Sequence, residues 1–180
     1  GALKRALTDE APSVRIAAMN ALGEARVMDV KPRLMEIGRT EEGAEAIFAY
    51  AALYKLGQTD TLIDITNAAT LPDAEVRMAA LGILGRLKRP ASLAVLSQAV
   101  YDPNPSVRAF AAGALGEFGS PGGVAPLTHA LWDEMAMVRG VAAGSLGRLG
   151  LKENRPLLQA LTTDPSLQVR ASAVESLLRL

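Results

Sequence analysis

Apolar positions recur along this chain with two nested periods. Inside a segment they fall four residues apart, as in Val107, Ala111 and Leu115 or Val138, Ala142 and Leu146. Offsets of 0, 4 and 8 put side chains on one stripe of an α-helix, and no strand-like alternation competes with them. Between segments the pattern returns. Val-Arg occurs at Val14-Arg15, Val76-Arg77, Val107-Arg108, Val138-Arg139 and Val169-Arg170, with Val spacings of 62, 31, 31 and 31 residues. Ala follows each Val by four residues, at Ala18, Ala80, Ala111, Ala142 and Ala173. Leu follows by eight, at Leu22, Leu84, Leu115, Leu146 and Leu177, and Gly stands next at Gly23, Gly85, Gly116 and Gly147. A fixed period of this length marks stacked units, none of which can bury its apolar face alone.

A second apolar segment precedes each Val-Arg, carrying pairs such as Leu93 and Leu96, Leu127 and Leu131, or Leu158 and Leu161. Asp102-Pro103-Asn104-Pro105-Ser106, Asp164-Pro165-Ser166 and Gly119-Ser120-Pro121-Gly122-Gly123 separate the segments with turn and helix-start chemistry. The pattern predicts twelve helices in six pairs: 2–9 with 13–25, 29–39 with 42–57, 60–70 with 74–87, 91–101 with 106–118, 123–132 with 136–149, and 153–162 with 167–179. It reads as one array over residues 1–180, with repeats at 1–25, 29–57, 60–87, 91–118, 123–149 and 153–180.

The recurring Asp, Val-Arg, Ala and Leu-Gly positions resemble the HEAT repeat class, specifically the short bacterial HEAT-like repeats also found in phycobilin lyase subunits. The resemblance covers nearly the whole chain. It implies an all-α, armadillo-like fold: a right-handed α-solenoid of six helical hairpins whose second helices line a concave side. It is specific for fold and not for function, because the class supplies binding surfaces of many kinds.

Repeat two departs from the pattern. The signature position falls on Glu45-Ala46, and Leu56-Gly57 sits 34 residues after Leu22-Gly23. This predicts a second helix about one turn longer, from Glu42 to Leu56. Tyr50 and Tyr54 lie four residues apart on it and share a face. They read either as filling for a local packing gap or as a partner-binding spot, since Tyr joins apolar area to a polar tip.

The recurring polar positions read as structural. Asp stands five residues before Val in four repeats, at Asp9, Asp102, Asp133 and Asp164. Such an Asp can accept backbone N–H bonds and pair with an Arg of its own or the next repeat. A catalytic group is needed once, whereas a ladder needs one at every step. Repeat three has Leu71 at this position, so the ladder should break near repeats two and three. Ten residues after Val stand Glu24, Arg86, Glu117, Arg148 and Arg179, a row of solvated charges in which Glu117 opposes an anion site between Arg86 and Arg148.

The helix face at offsets 2, 5, 6 and 9 carries no charge in four of the repeats. It runs from Met19, Tyr50, Tyr54, Met78 and Leu81 to repeats four and five, where Ala109, Ala112, Gly113, Gly140 and Gly144 stand. Gly inside a helix costs roughly 0.8–1.0 kcal/mol against Ala. Either adjacent helices approach closely there, or the strip is a shallow groove that admits a partner's backbone. On the groove reading the contact residues are Met19, Tyr50, Tyr54, Met78, Leu81, Gly113 and Gly144. Trp132 and Tyr101 each stand six residues before a Val. They read as neighbours at the loops, serving core or edge packing or an aromatic ridge.

Composition narrows the chemistry. With no Cys, disulfides, thiolate metal sites and Cys nucleophiles are excluded. One His, His129, cannot supply a multi-His metal site, and the repeated His-Glu pairs of the HEAT-type deoxyhypusine hydroxylases are absent. No phosphate-binding loop, dinucleotide fingerprint or nucleophile elbow appears. A formal net charge of zero and few aromatics speak against nucleic acid, and no run of 18 apolar residues can span a membrane. No signal peptide is visible, and the compartment stays open. No cofactor and no metal are expected. The start without Met, and a last segment with Val174, Leu177, Leu178 and Leu180, suggest a piece of a longer array or end-to-end self-association. The reading is a non-catalytic scaffold that binds a protein or peptide on its concave face. The alternatives are a structural spacer and a phycobilin lyase-like chromophore-handling protein. The groove reading predicts that Gly113→Leu folds and blocks a partner; the packing reading predicts that it unfolds.

Overall fold

The computed structural model describes residues 1–180, and all of the regular structure is helical. The helices are α1 (Ala2–Arg5), α2 (Pro12–Glu24), α3 (Lys31–Thr40), α4 (Ala44–Lys55), α5 (Thr61–Ala68), α6 (Ala74–Leu87), α7 (Ser92–Gln98), α8 (Pro105–Phe118), α9 (Val124–Ala130), α10 (Ala136–Leu149), α11 (Arg155–Ala160) and α12 (Leu167–Leu177). The twelve match the expected six pairs. Several short first helices are completed by 3₁₀ turns, such as Ala6–Thr8 after α1 and Ala99–Tyr101 after α7. The chain forms two compact units, Gly1–Ile83 and Leu84–Leu180.

In the first unit the core gathers Leu7, Met19, Leu22, Leu34, Ile37 and Leu53 from α2, α3, α4 and the turn after α1. In the second unit the Val–Ala–Leu stripe is fully covered at Val107, Ala111, Leu115, Val138, Ala142 and Leu146. Leu96, Leu127, Leu131 and Leu158 of the preceding segments close over it. Val14, at the start of the first stripe, is exposed. Each large buried side chain contributes roughly 1.5–3 kcal/mol, so the stripe outweighs any single polar contact.

Repeat two keeps the 31-residue register, which corrects the expectation of a longer helix. α4 has 12 residues, against 13 in α2 and 14 in α8. Ala49 and Leu53 take the Ala and Leu places and are buried. Leu53-Tyr54 is therefore the counterpart of Leu-Gly, while Leu56 and Gly57 lie past the helix. Gly57 has φ +94°, in the left-handed region that suits a turn glycine.

Helix seams explain one set of glycines and not the other. A Cβ built on Gly147 would lie 2.5 Å from Ser176 Cβ and 2.8 Å from its Cα. At Gly85 it would lie 2.9 Å from the Ala114 carbonyl oxygen, and at Gly23 3.1 Å from Ala52 Cα. The glycine after Leu thus lets its helix approach a small residue of the next repeat. Gly113 and Gly144 are different. A Cβ on Gly113 meets only Val141 Cγ1 at 3.6 Å, and on Gly144 only Arg148 Nη1 at 3.8 Å. Close approach is not their cause.

A second device locks successive repeats. Arg108 Nε and Nη2 donate to both Asp133 carboxylate oxygens, at 2.7 and 2.9 Å, while its Nη1 donates to the carbonyls of Asp102 and Pro103. Arg139 repeats this on Asp164, at 2.8 and 2.9 Å. In the first unit Arg15 does so on Glu45, at 2.6 and 2.9 Å. The Asp carboxylates also accept the N–H two residues on, from Met135 and Ser166. The Arg139 hydrogen bond holds the Asp164 carboxyl below its usual range, against burial that opposes its charge. At Asp133 burial is the larger influence and raises the value, yet Arg108 and the Met135 N–H together bring it below the usual range.

Two outcomes are expected. Gly113→Ala should raise stability by about 1 kcal/mol, because room exists and helix propensity improves. Gly147→Ala should lower it by about 1–3 kcal/mol, because Ser176 backbone must move; urea unfolding of both variants reads the contrast. Depressed carboxylates stabilise the fold above about pH 4, and that stability is lost as pH falls through their lowered values. Asp164→Asn should therefore cost roughly 1–3 kcal/mol at pH 7 and flatten the loss of stability below pH 4.

Candidate functional site

The ladder stops where the sequence predicted. After Arg15–Glu45 the next Arg position holds Ala46, and the acid it would meet is Leu71. At this place in the first unit lies a cleft of about 540 Å³, lined by residues of α4, α5, the start of α6 and the loops around them. Ala46, Ile47, Ala68, Leu71 and Val76 make its apolar surface, and Glu41, Glu42, Asp64 and Asp73 place four carboxylates on it. Tyr50 forms part of the wall.

Local sequence shapes the cleft. Glu41-Glu42-Gly43 stands where repeat four has Pro103-Asn104-Pro105 and repeat six has Pro165-Ser166-Leu167. Gly43, at φ +73° and ψ −148°, holds a conformation essentially closed to other residues, and it starts α4 one residue later relative to the register than α8 or α10 begins. Thr40 stands at the Asp position, but its hydroxyl turns back to the Glu36 carbonyl. On the α6 side, Asp73 accepts the N–H groups of Glu75 and Val76 and caps that helix. Arg77 still donates to the carbonyls of Leu71 and Pro72, so the loop backbone keeps the ladder geometry although its acid is missing.

Tyr50 is half-buried, with its ring packed on the core of the first unit. Its hydroxyl donates to the Gly38 carbonyl at 2.6 Å. Gly38 is required by this contact, since a Cβ there would lie 2.7 Å from Tyr50 Cε1. Burial raises the phenol's pKa, Asp64 raises it further, and Arg39 opposes the rise.

The residues expected on one strip separate. Met19 and Leu81 are fully buried, with no exposed surface, and give a partner nothing to touch. The reason is helical geometry. At about 100° per residue, offset 5 lies roughly 140° from Val and offset 9 roughly 180°, both turned toward a neighbouring helix. Offset 6 lies nearer the open side at Gly82, Gly113 and Gly144, which are half-buried. Tyr50 shares the offset of Met19 and Leu81 but reaches surface because the missing rung opens the seam beside it. Tyr54 and Met78 are half-buried, and neither lines the cleft. Gly113 is half-buried on α8 in the second unit. Gly144 lies in a smaller groove of about 240 Å³ between α10 and α12, with Gly140, Arg148, Ser172, Glu175 and Arg179. Burial and the nearby Arg179 hold the Arg148 guanidinium below its ordinary value, with Glu117 opposing. No group of three or more His, Asp and Glu side chains is placed to hold a metal ion. No helix is long and apolar enough to cross a membrane.

Sequence reasoning placed none of Ala46, Ile47, Asp64, Leu71 and Asp73 at a site, although Ala46 and Leu71 marked the broken pattern. The signal was present: the lost Val-Arg and the lost Asp are the two halves of one rung. The exposure of the aromatic pair removes the core-packing alternative and leaves the edge and the ridge. Tyr101 tilts against His129, with ring centroids 4.4 Å apart, and Trp132 is 64% exposed.

Two-thirds of the chain matches a family model described as HEAT repeats, over residues 60–143 and 93–178. Residues 2–22 match a HEAT repeat associated with sister chromatid cohesion. No curated relative matches the chain. Among solved structures, a designed armadillo repeat protein in complex with peptide (KR)4 is similar at 16% identity and TM-score 0.63, with 98% of this chain and 97% of that one covered. Human deoxyhypusine hydroxylase is similar at 21% identity and TM-score 0.60, covering 98% and 72%. The complex of CpcE and CpcF of phycocyanin lyase from Nostoc is similar at 22% identity and TM-score 0.58, covering 97% and 74%. These likenesses are of fold.

Tyrosine absorbance should resolve Tyr50, identified by its loss in Tyr50→Phe, as a phenol titrating above about pH 10. Asp64→Asn removes a neighbouring negative charge and should move that step to lower pH.

Proposed function

Because the chain belongs to the HEAT repeat family, we propose that it is a non-catalytic scaffold that binds a protein or peptide, with the cleft beside Tyr50 as a contact site. The observation that carries this reading is the cleft itself. It has an apolar floor, a polar rim and a wall held by a hydrogen-bonded Tyr, and it occurs where the repeat geometry is broken. An array serving only as a spacer needs no such break. The peptide-bound armadillo neighbour supports the peptide class of partner. A linear tetrapyrrole carries propionates that the four carboxylates of this cleft would repel, so a bilin-handling role is disfavoured at this site.

Asn67 and Leu71 are exposed residues of the cleft, suited to blocking it without disturbing the core. Displayed-peptide selection on the full chain should enrich a family of sequences that Asn67→Lys, Leu71→Lys no longer retains, while circular dichroism shows its helices intact. Enrichment equal on both proteins would move the site elsewhere. No enrichment on either would favour the spacer.

A further inference from the structure

We propose that the cleft receives an arginine or lysine side chain of the partner, seated where the chain's own ladder lacks a cation. This rests on the binding reading above and names the chemistry of its occupant.

The chain defines the seat by repetition. Arg15, Arg77, Arg108, Arg139 and Arg170 each stand after the Val position, and each sends Nη1 to the carbonyls five and four residues before that position. Arg15, Arg108 and Arg139 offer their other edge to a carboxylate of the following repeat. In repeat two the guanidinium is absent, because position 46 is Ala, and the facing acid is Leu71. Substituting both partners of a rung by apolar residues leaves no unpaired buried charge, which is why the unit tolerates the change. It also leaves a hollow, and Ala46 and Leu71 both line it.

The lining complements a cation with an aliphatic stem. Ala46, Ile47 and Leu71 supply apolar surface for the methylenes. Glu41, Glu42, Asp64 and Asp73 supply carboxylates, and no Lys, Arg or His lines the cleft. The cations around the cleft are engaged or outside its lining: Arg77 donates to the Leu71 and Pro72 carbonyls. Arg15, whose charge Glu41 stabilises, is bound bidentately to Glu45, and Arg39 acts on Tyr50 from beyond the lining. An anionic side chain would meet four carboxylates, and a neutral one would leave Glu42 and Asp64 without a counter-charge. Arginine fits best, since its planar fork forms bidentate bonds as the chain's own rungs do.

The test uses the full chain and blocked pentapeptides that differ only at a central residue flanked by leucines: arginine, lysine, citrulline or glutamate. Citrulline keeps the shape of arginine without its charge. Amide shifts at Ala46, Ile47 and Leu71 should move with the arginine peptide at concentrations up to about 10 mM. Its affinity should exceed that of the citrulline peptide by about tenfold or more, and the glutamate peptide should leave these amides unmoved. Ala46→Arg, Leu71→Asp rebuilds the rung from within. It should fold, unfold at equal or higher urea concentration than wild type, and lose the arginine peptide. Should that variant not fold, Glu42→Gln, Asp64→Asn keeps the apolar floor and should weaken arginine binding several-fold. Equal shifts from the arginine and citrulline peptides would overturn the cation seat while leaving the scaffold reading standing. Absence of shifts at these residues with every peptide would overturn the seat and remove the cleft from the scaffold reading.

Discussion

The bidentate pairing of one arginine with the acid of the following repeat is the interaction that the repeat geometry rests on. Each such Arg holds two things at once. Its Nη1 grips the carbonyls of its own turn, and its Nε–Nη2 edge grips the next carboxylate, which itself braces the next turn through an N–H. Arg139 and Asp164 show the full arrangement, with side chains only 15% and 6% exposed. At that burial neither charge tolerates the loss of its partner, so the pair fixes register more firmly than it adds stability. An exposed ion pair such as Arg33 with Glu36 does neither.

The apolar seam and the polar ladder are coupled. A Gly against a small residue sets how close two second helices come, and only at that distance does the Arg reach its acid. Arg15 shows the tolerance of the device. Glu45 stands in the place of Val, five residues after the usual Asp place held here by Thr40, and its side chain still closes the rung at hydrogen-bond distance. The seam there is intact, with Gly23 on Ala52. Where both halves of the rung are apolar, no such closure is possible and the cleft results.

The fold was legible because its signal is repeated. The 31-residue spacing, the Val–Ala–Leu stripe and the Asp-Pro turns each recur, and the pairing of helices follows from them. The break in the ladder at Leu71 was legible for the same reason. Repeat two was misread because Leu56-Gly57 imitates the Leu-Gly signature three residues late. The true counterpart is Leu53-Tyr54, visible only once Ala52 is seen facing Gly23. The strip at offsets 2, 5, 6 and 9 was misread as one face because those offsets spread over about 100° of helix, and only the neighbouring repeat decides that Met19 and Leu81 are covered while Gly113 stays half open. The cleft needed the same information: absent side chains become a site only when their neighbours are known.

The pairing of Gly with a small residue has a consequence for how such a chain can change length over evolutionary time. Gly116 and Gly147 each face Ser, and Gly85 faces Ala, so the ends of these repeats are interchangeable. A duplication or deletion of one 31-residue unit among them would rejoin a bare glycine to a small partner and keep the lattice. The junction between repeats two and three is written differently, with Tyr54 in the glycine place and Ile83 in the small-residue place. Recombination across it would set Tyr against Ser, or Gly against Ile, and neither fits. The modular part of the chain is free to grow or shrink, whereas repeats two and three are inherited together, and with them the cleft.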